Sequence, residues 1–277
     1  MDYERFMLLA SFFGVVMGLV LGLTGAGGGI LAVPALVLGL GWSMTTAAPV
    51  ALFAVGSAAA VGAIDGLRHG LVRYRAALLI AALGAVFSPV GIYFAHQLPE
   101  KILMILFSLL MVMVAGRMLR RERKEQGPSD HGHASWGQKN CMLDQQTGRF
   151  SWTAKCTATL ASLGAVTGVV SGLLGVGGGF LIVPAFKQLT DVQMRGIVAT
   201  SLMVISLISL IGVIGAFHAG GRIDGVGIAF IVSSIVGMVI GRRLCARVPA
   251  RALQVGFASI CLVIAAYMLF QANAWPV

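Results

Sequence analysis

Two stretches of this chain can do chemistry without an ionisable side chain. Leu23-Thr24-Gly25-Ala26-Gly27-Gly28-Gly29-Ile30-Leu31-Ala32-Val33-Pro34 returns 150 residues later as Leu173-Leu174-Gly175-Val176-Gly177-Gly178-Gly179-Phe180-Leu181-Ile182-Val183-Pro184. Each glycine lowers helix propensity by about 1 kcal/mol, so four in five positions should break an apolar helix, which restarts at Ile30 or Phe180. A restarted helix presents unpaired backbone N–H groups and the positive end of its dipole, which favours an anion by roughly 0.3–2 kcal/mol. Gly25, Gly27, Gly28, Gly29, Gly175, Gly177, Gly178 and Gly179 are therefore candidate substrate-binding residues, because nothing on them keeps a ligand from the main chain. A tight helix crossing with no ligand is the alternative.

Hydroxyls near the breaks could add donors. Thr24 adjoins the first, Thr45, Thr46 and Pro49 enter the next helix, and Thr200 and Ser201 hold the corresponding place in the second half. Back-bonding of these hydroxyls to helix carbonyls is equally compatible with the sequence. No metal or cofactor is expected. His131, His133 and Cys141 lack a fourth ligand and a rigid frame, and the cysteines Cys141, Cys156, Cys245 and Cys261 show no CxxC or zinc spacing and read as unpaired thiols. Neither glycine run is a dinucleotide fingerprint, since no βαβ unit surrounds it, and neither ends in the Gly-Lys-Ser/Thr of a P-loop. An enzyme would need a nucleophile, base or metal cluster in the membrane segments, and none is evident.

The elements that must hold these breaks are membrane helices. Of 277 residues, 58% are hydrophobic and only 11% charged, against about 25% charged in a soluble domain. The +10 charge sits in short clusters between apolar runs, as the positive-inside rule requires, and does not call for nucleic acid. Asp65, His69, His96, His218 and Asp224 are the few titratable groups near membrane ends. The first apolar run, Phe6 to Leu23, resembles a signal peptide in composition, but its copy lies mid-chain and it should be retained.

Helices are expected over 6–23, 30–41, 47–64, 76–96 and 102–119, and again over 157–173, 180–189, 197–217, 225–242 and 252–270. The offset of 150 holds at Met44 and Met194, Gly62 and Gly212, Gly91 and Gly241, and Pro99 and Pro249, the mark of a duplication. Residues 1–119 form a first membrane repeat, 120–153 a polar cytoplasmic linker and 154–277 a second repeat. The helices after the glycines are too short to cross the ~30 Å core. Each reads as half of a re-entrant hairpin or of a broken span.

Loop charges set the orientation. Arg68, Arg73 and Arg75 follow the third segment, whereas its copy is followed by Arg222 balanced by Asp224. Arg242, Arg243, Arg247 and Arg251 flank Pro249, whereas Pro99 has Glu100 against Lys101. The bias reverses between copies, as two inverted structural repeats require, each with three full transmembrane helices plus a Gly-broken helix or re-entrant hairpin. Four crossings per half in parallel is the rival. The fold class is an all-α, multi-pass integral membrane protein in the lipid bilayer.

The doubled Gly-x-Gly-Gly-Gly-(x)4-Pro pattern resembles that of the TauE/SafE sulfite exporter family, as do Ala199-Thr200-Ser201 and the run from Gly237 and Gly241 into the basic turn at Pro249. The first half departs by carrying Pro49-Val50-Ala51 where the second has Ala199-Thr200-Ser201. The resemblance implies a bacterial cell inner membrane transporter of sulfite or an organosulfonate, often an exporter. Residues and resemblance together give secondary transport of a small anionic substrate by alternating access around the two breaks, with a passive anion channel as the alternative. A homo-oligomer is left open.

Overall fold

The computed structural model describes residues 2–25, 28–125, 153–189, 194–218, 224–244 and 250–274. Among them the secondary structure is α-helix: α1 (Asp2–Thr24), α2 (Gly29–Leu40), α3 (Met44–Arg68), α4 (Tyr74–Gln97), α5 (Glu100–Glu125), α6 (Ala154–Leu174), α7 (Gly179–Leu189), α8 (Met194–His218), α9 (Gly225–Leu244) and α10 (Ala250–Ala274). All ten expected segments are present. Glu4–Thr24, Met44–Arg68, Tyr74–Gln97, Ala154–Leu174, Arg195–Gly215 and Gly225–Leu244 are long and apolar enough to cross a membrane. The helices leading into the breaks are thus of spanning length themselves, and only the returning α2 and α7 are short.

Two expectations change. Helix α5 runs six residues past the 119/120 boundary, to Glu125. Hydropathy marks where the apolar slab ends, but Arg, Glu and Lys are good helix formers and carry the helix onward. The remaining linker positions, with His131, His133, Cys141 and Trp152, lie outside the described residues. Cys261 is a free, buried thiol as expected, but Cys156 is disulfide-bonded, to a partner outside the described residues. Sequence spacing reveals local CxxC pairs and not partners that folding brings together.

Helix α1 packs chiefly on α9 and α4 on α6, while α3 packs on α8 and α5 on α10. Under the 150-residue offset the first two contacts are copies of each other, and the last two are elements against their own copies. Gly14, Gly18 and Gly22 lie against Phe230, Ser234 and Met238 in turn, so α1 and α9 run parallel. Gly56 meets Ser209, Gly62 meets Leu202 and Gly66 meets Ala199, so α3 and α8 run antiparallel. At Gly18 and its copy Gly168 the backbones approach so closely that an added Cβ would sit within van der Waals radii of Ser234 and Gly84 main chain. No flexible side chain intervenes there to yield.

Large apolar side chains also face outward: Leu8 is 71% exposed, Val263 69% and Phe270 74%. In water each would forgo about 1.5–3 kcal/mol of burial, and a hydrocarbon surround removes that cost.

The bundle has two chemically distinct ends. Arg242 of α9 meets Asp65 of α3, and the Arg73 amide donates to Thr200 Oγ1 at 3.1 Å. These contacts gather Arg68, Arg73, Arg75, Arg195, Arg242 and Arg243 at one end. At the other, the Met44 amide donates to Glu100 Oε1 at 2.8 Å, and Asp224 Oδ1 accepts from the Gly227 amide at 2.9 Å. Both carboxylates satisfy orphan donors at helix N-termini. Glu100→Ala is expected to lower stability by about 1 kcal/mol, read as a fall of roughly 2–4 °C in the melting temperature of purified protein.

Candidate functional site

The glycine runs break the helices where expected. Helix α1 ends as the Gly25 amide donates to the Leu21 carbonyl at 2.7 Å, and α6 ends as the Gly175 amide donates to the Ser171 carbonyl at 2.9 Å. Gly25 has φ 75° and Gly175 φ 70°, left-handed turns that glycine enters without a Cβ penalty. In each restarted helix the first amide bonded to the glycine run is that of Leu31, to Gly28 O at 3.0 Å, or Leu181, to Gly178 O at 3.1 Å. The amides of Gly29 and Ile30, and of Gly179 and Phe180, come before any helical carbonyl they could reach.

The two breaks converge on the antiparallel crossing of α3 and α8. A Cβ on Gly29 would lie 3.0 Å from Val176 O and 3.1 Å from Val55 Cγ1; one on Gly177 would lie 3.0 Å from Ser209 Oγ, 3.1 Å from Ile205 and 3.4 Å from Val55. Val55 of α3 is thus shared by both. Their outer corners point to opposite ends: Gly25 abuts Val198 near the start of α8, and Gly175 abuts Ala48 near the start of α3. Gly28, Gly29, Gly175, Gly177, Gly178 and Gly179 are all buried, as is Gly25, and Gly27 lies outside the described residues. Helix α2 is buried on nearly every side, from Gly29 through Pro34 to Leu40, the shielding that a non-spanning helix needs in hydrocarbon.

The breaks are not alike in detail. Gly177 and Gly178 take φ 70° and 66°, but Gly28, the N-cap of α2, has ordinary right-handed geometry at φ −57°. Gly178 lies against Thr167 of α6, and Gly28 against Leu21 of α1.

The hydroxyls singled out from sequence are already engaged. Thr24 Oγ1 donates to Val20 O at 2.8 Å, Thr200 Oγ1 to Gly196 O at 2.7 Å and Ser201 Oγ to Val198 O at 2.8 Å. Ser201 does reach the first break, with Gly25 O at 3.5 Å. Thr45 and Thr46 are exposed and cluster with Ser43, which caps α3 by accepting from the Thr46 amide at 3.3 Å. They belong to a helix cap and not to a cavity.

Sequence reasoning passed over Thr167, Ser171 and Ser209. Thr167 and Ser209 are 0% exposed and Ser171 1%, yet their hydroxyl oxygens have no hydrogen-bond partner. The available signal was the comparison of copies, since Met17, Leu21 and Ala59 stand at the matching places in the first half.

The halves also differ at their ends. Arg242 Nε is 2.7 Å from Asp65 Oδ2, and Arg242 Nη1 donates to Gly62 O at 2.7 Å, tying α9 to α3 beside the first break. The matching residues at the opposite end are Ile92 and Gly215, and these line an apolar cleft of about 480 Å³ between α4 and α8, with Ser88, His96 and Ile211. An ion pair joins α9 to α3 at one end, whereas the matching positions at the other line a cleft.

Comparison with known proteins gives a consistent picture. The family described as sulfite exporter TauE/SafE matches residues 10–268. A probable membrane transporter protein of Xylella fastidiosa (strain Temecula1 / ATCC 700964) is 30% identical over 267 residues, covering 94% of each chain. Its counterpart in strain 9a5c is 29% identical over 265 residues, again 94% of each, and the probable membrane transporter protein YunE of Bacillus subtilis (strain 168) is 25% identical over 217 residues, 74% of this chain and 78% of the relative. No solved structure matches.

Proposed function

Since the chain belongs to the sulfite exporter TauE/SafE family, a family of membrane transporters and not of enzymes, we propose that it carries sulfite or a small organosulfonate across the bacterial inner membrane by alternating access, with the two glycine breaks as its binding site. The observation that carries this reading is the meeting of both breaks at Val55, one arriving as Gly29 and the other as Gly177. A solute held there is gripped from two sides by main-chain amides, without a buried cation that would retain it.

The two halves sit in opposite senses in the bilayer. The antiparallel crossing of α3 with its copy α8 supports this, and so does the collection of Arg68, Arg73, Arg75, Arg195, Arg242 and Arg243 at one end, the cytoplasmic one by the positive-inside rule. Transport is outward, and rocking of one half against the other exposes the breaks to each side in turn.

The test is counterflow of labelled sulfite in proteoliposomes. Internal unlabelled sulfite is expected to accelerate uptake of label, as trans-stimulation of a carrier requires. Uptake that ignores the trans solute would replace the carrier by the passive channel, and no uptake of any sulfur oxyanion would remove the substrate class.

A further inference from the structure

Among the described residues, the buried hydroxyls of Ser108, Thr200, Ser233 and Ser234 donate to their own helix. Ser108 bonds Met104 O at 2.7 Å, Thr200 bonds Gly196 O at 2.7 Å, Ser233 bonds Phe230 O at 3.0 Å and Ser234 bonds Ile231 O at 2.7 Å. Back-bonding is what a hydroxyl does in a helix with nothing better to meet. Thr167, Ser171 and Ser209 do not do it, although they are as deeply buried. All three residues stand around the second break: Ser209 Oγ faces Gly177 from α8, Thr167 lies against Gly178 from α6 with its methyl and carbonyl, and Ser171, one turn along the same helix, accepts the Gly175 amide with its carbonyl.

Resting on the transport function proposed above, we infer that the second break is the principal seat of the anion, and that the Thr167, Ser171 and Ser209 hydroxyls are donors to its oxygens together with the Gly179 and Phe180 amides. Three hydroxyls around one helix start suit a solute with several oxygens on one centre, a sulfite or sulfonate, better than a spherical halide. The first break holds the solute less specifically, because Met17, Leu21 and Ala59 occupy the matching positions and offer no donors. Hydroxyls donate as neutral groups, so the site binds the charge and still releases it.

The ligand-free protein is strained by this arrangement. An unpartnered buried hydroxyl destabilises the fold, and an apolar group of the same shape is neutral or stabilising in its place. That gives the test a signature that a merely structural hydroxyl lacks. Purified wild type, Ser209→Ala, Thr167→Val, Ser171→Ala and Ser162→Ala are melted with and without sulfite, thiosulfate, sulfoacetate, taurine or chloride. The first three variants are expected to keep or raise the ligand-free melting temperature while binding the wild type's preferred anion about tenfold or more weakly. Ser162→Ala, on the exposed side of α6, keeps wild-type affinity.

Wild-type stabilisation retained in the three variants would overturn this inference and leave the transport function standing. So would a fall in their ligand-free melting temperatures, since that marks the hydroxyls as structural. Indifference of the wild type to every anion would instead overturn the anion-binding function itself.

Discussion

Gly168→Val is expected to be the most damaging single change outside the breaks. The Cβ it introduces would lie 2.6 Å from Gly84 Cα and 2.7 Å from Gly84 C. Both are backbone, so no rotamer change relieves the contact and α4 must move away from α6. In a bilayer that movement is costly, because helix association there depends on close van der Waals packing instead of a hydrophobic drive between helices. Overpacking of an ordinary core costs about 1–3 kcal/mol. Separating this whole contact should reach at least the upper end, lowering the melting temperature by roughly 6–12 °C. Gly18→Val should match it, because the added Cβ would meet Ser234 C at 2.8 Å and Met238 N at 2.9 Å across the equivalent α1–α9 contact. Gly116→Ala and Gly256→Ala set the baseline. Nothing lies within 4 Å of either added methyl, and the gain in helix propensity is up to about 1 kcal/mol. Thermal melts of the four variants decide the point. Equal behaviour of buried and open positions would mean that the glycine spacing does not set the helix separation.

The glycine spacing was readable because it is a local pattern with one physical meaning. Gly14, Gly18 and Gly22 fall on one helix face by periodicity alone, and their copies Gly164, Gly168 and Gly172 repeat the message. What periodicity does not contain is the partner. That α1 lies against α9, and α4 against α6, follows from how the halves interlock. The same limit explains the hydroxyls. Thr45 and Thr46 are candidates because they enter the helix after the first break, yet Ser43 draws both into a cap. Thr167 and Ser209 are small polar residues in apolar helices, which usually back-bond. Only the folded structure shows that these two hydroxyls do not, although both lie beside the second break. The end of α5 differs for another reason, since its helical tendency does not stop where its hydropathy does.

Arg242→Ala is expected to shift the protein toward the state open at its basic end. The guanidinium makes two contacts there, Nε to Asp65 Oδ2 and Nη1 to Gly62 O, each 2.7 Å long, and both link α9 to the last turns of α3. Asp65 is 45% exposed and Arg242 26%, so the ion pair is screened and is worth no more than about 1 kcal/mol. The charged donor to a carbonyl adds about 1.5 kcal/mol. Together that is roughly 2.5 kcal/mol, or a population change of about seventyfold if the contacts exist in only one state. Asp65→Asn removes the smaller part and should shift the balance about fivefold. Two introduced cysteines read the change. One replaces Ala199, buried beside Gly66 at the basic end, and the other replaces Ile211 in the cleft between α4 and α8. Against the parent lacking each cysteine, Arg242→Ala should speed maleimide labelling at position 199 and slow it at position 211. Opposite changes at the two ends are what alternation between states demands. A rise at both would show only a loosened bundle, and a change at neither would mean that the Asp65–Arg242 contact holds no gate. The reason to expect the opposed result is the mismatch between the halves: the two ends share one helix arrangement, but only one has the charges to clasp it, so removing them makes the ends more alike.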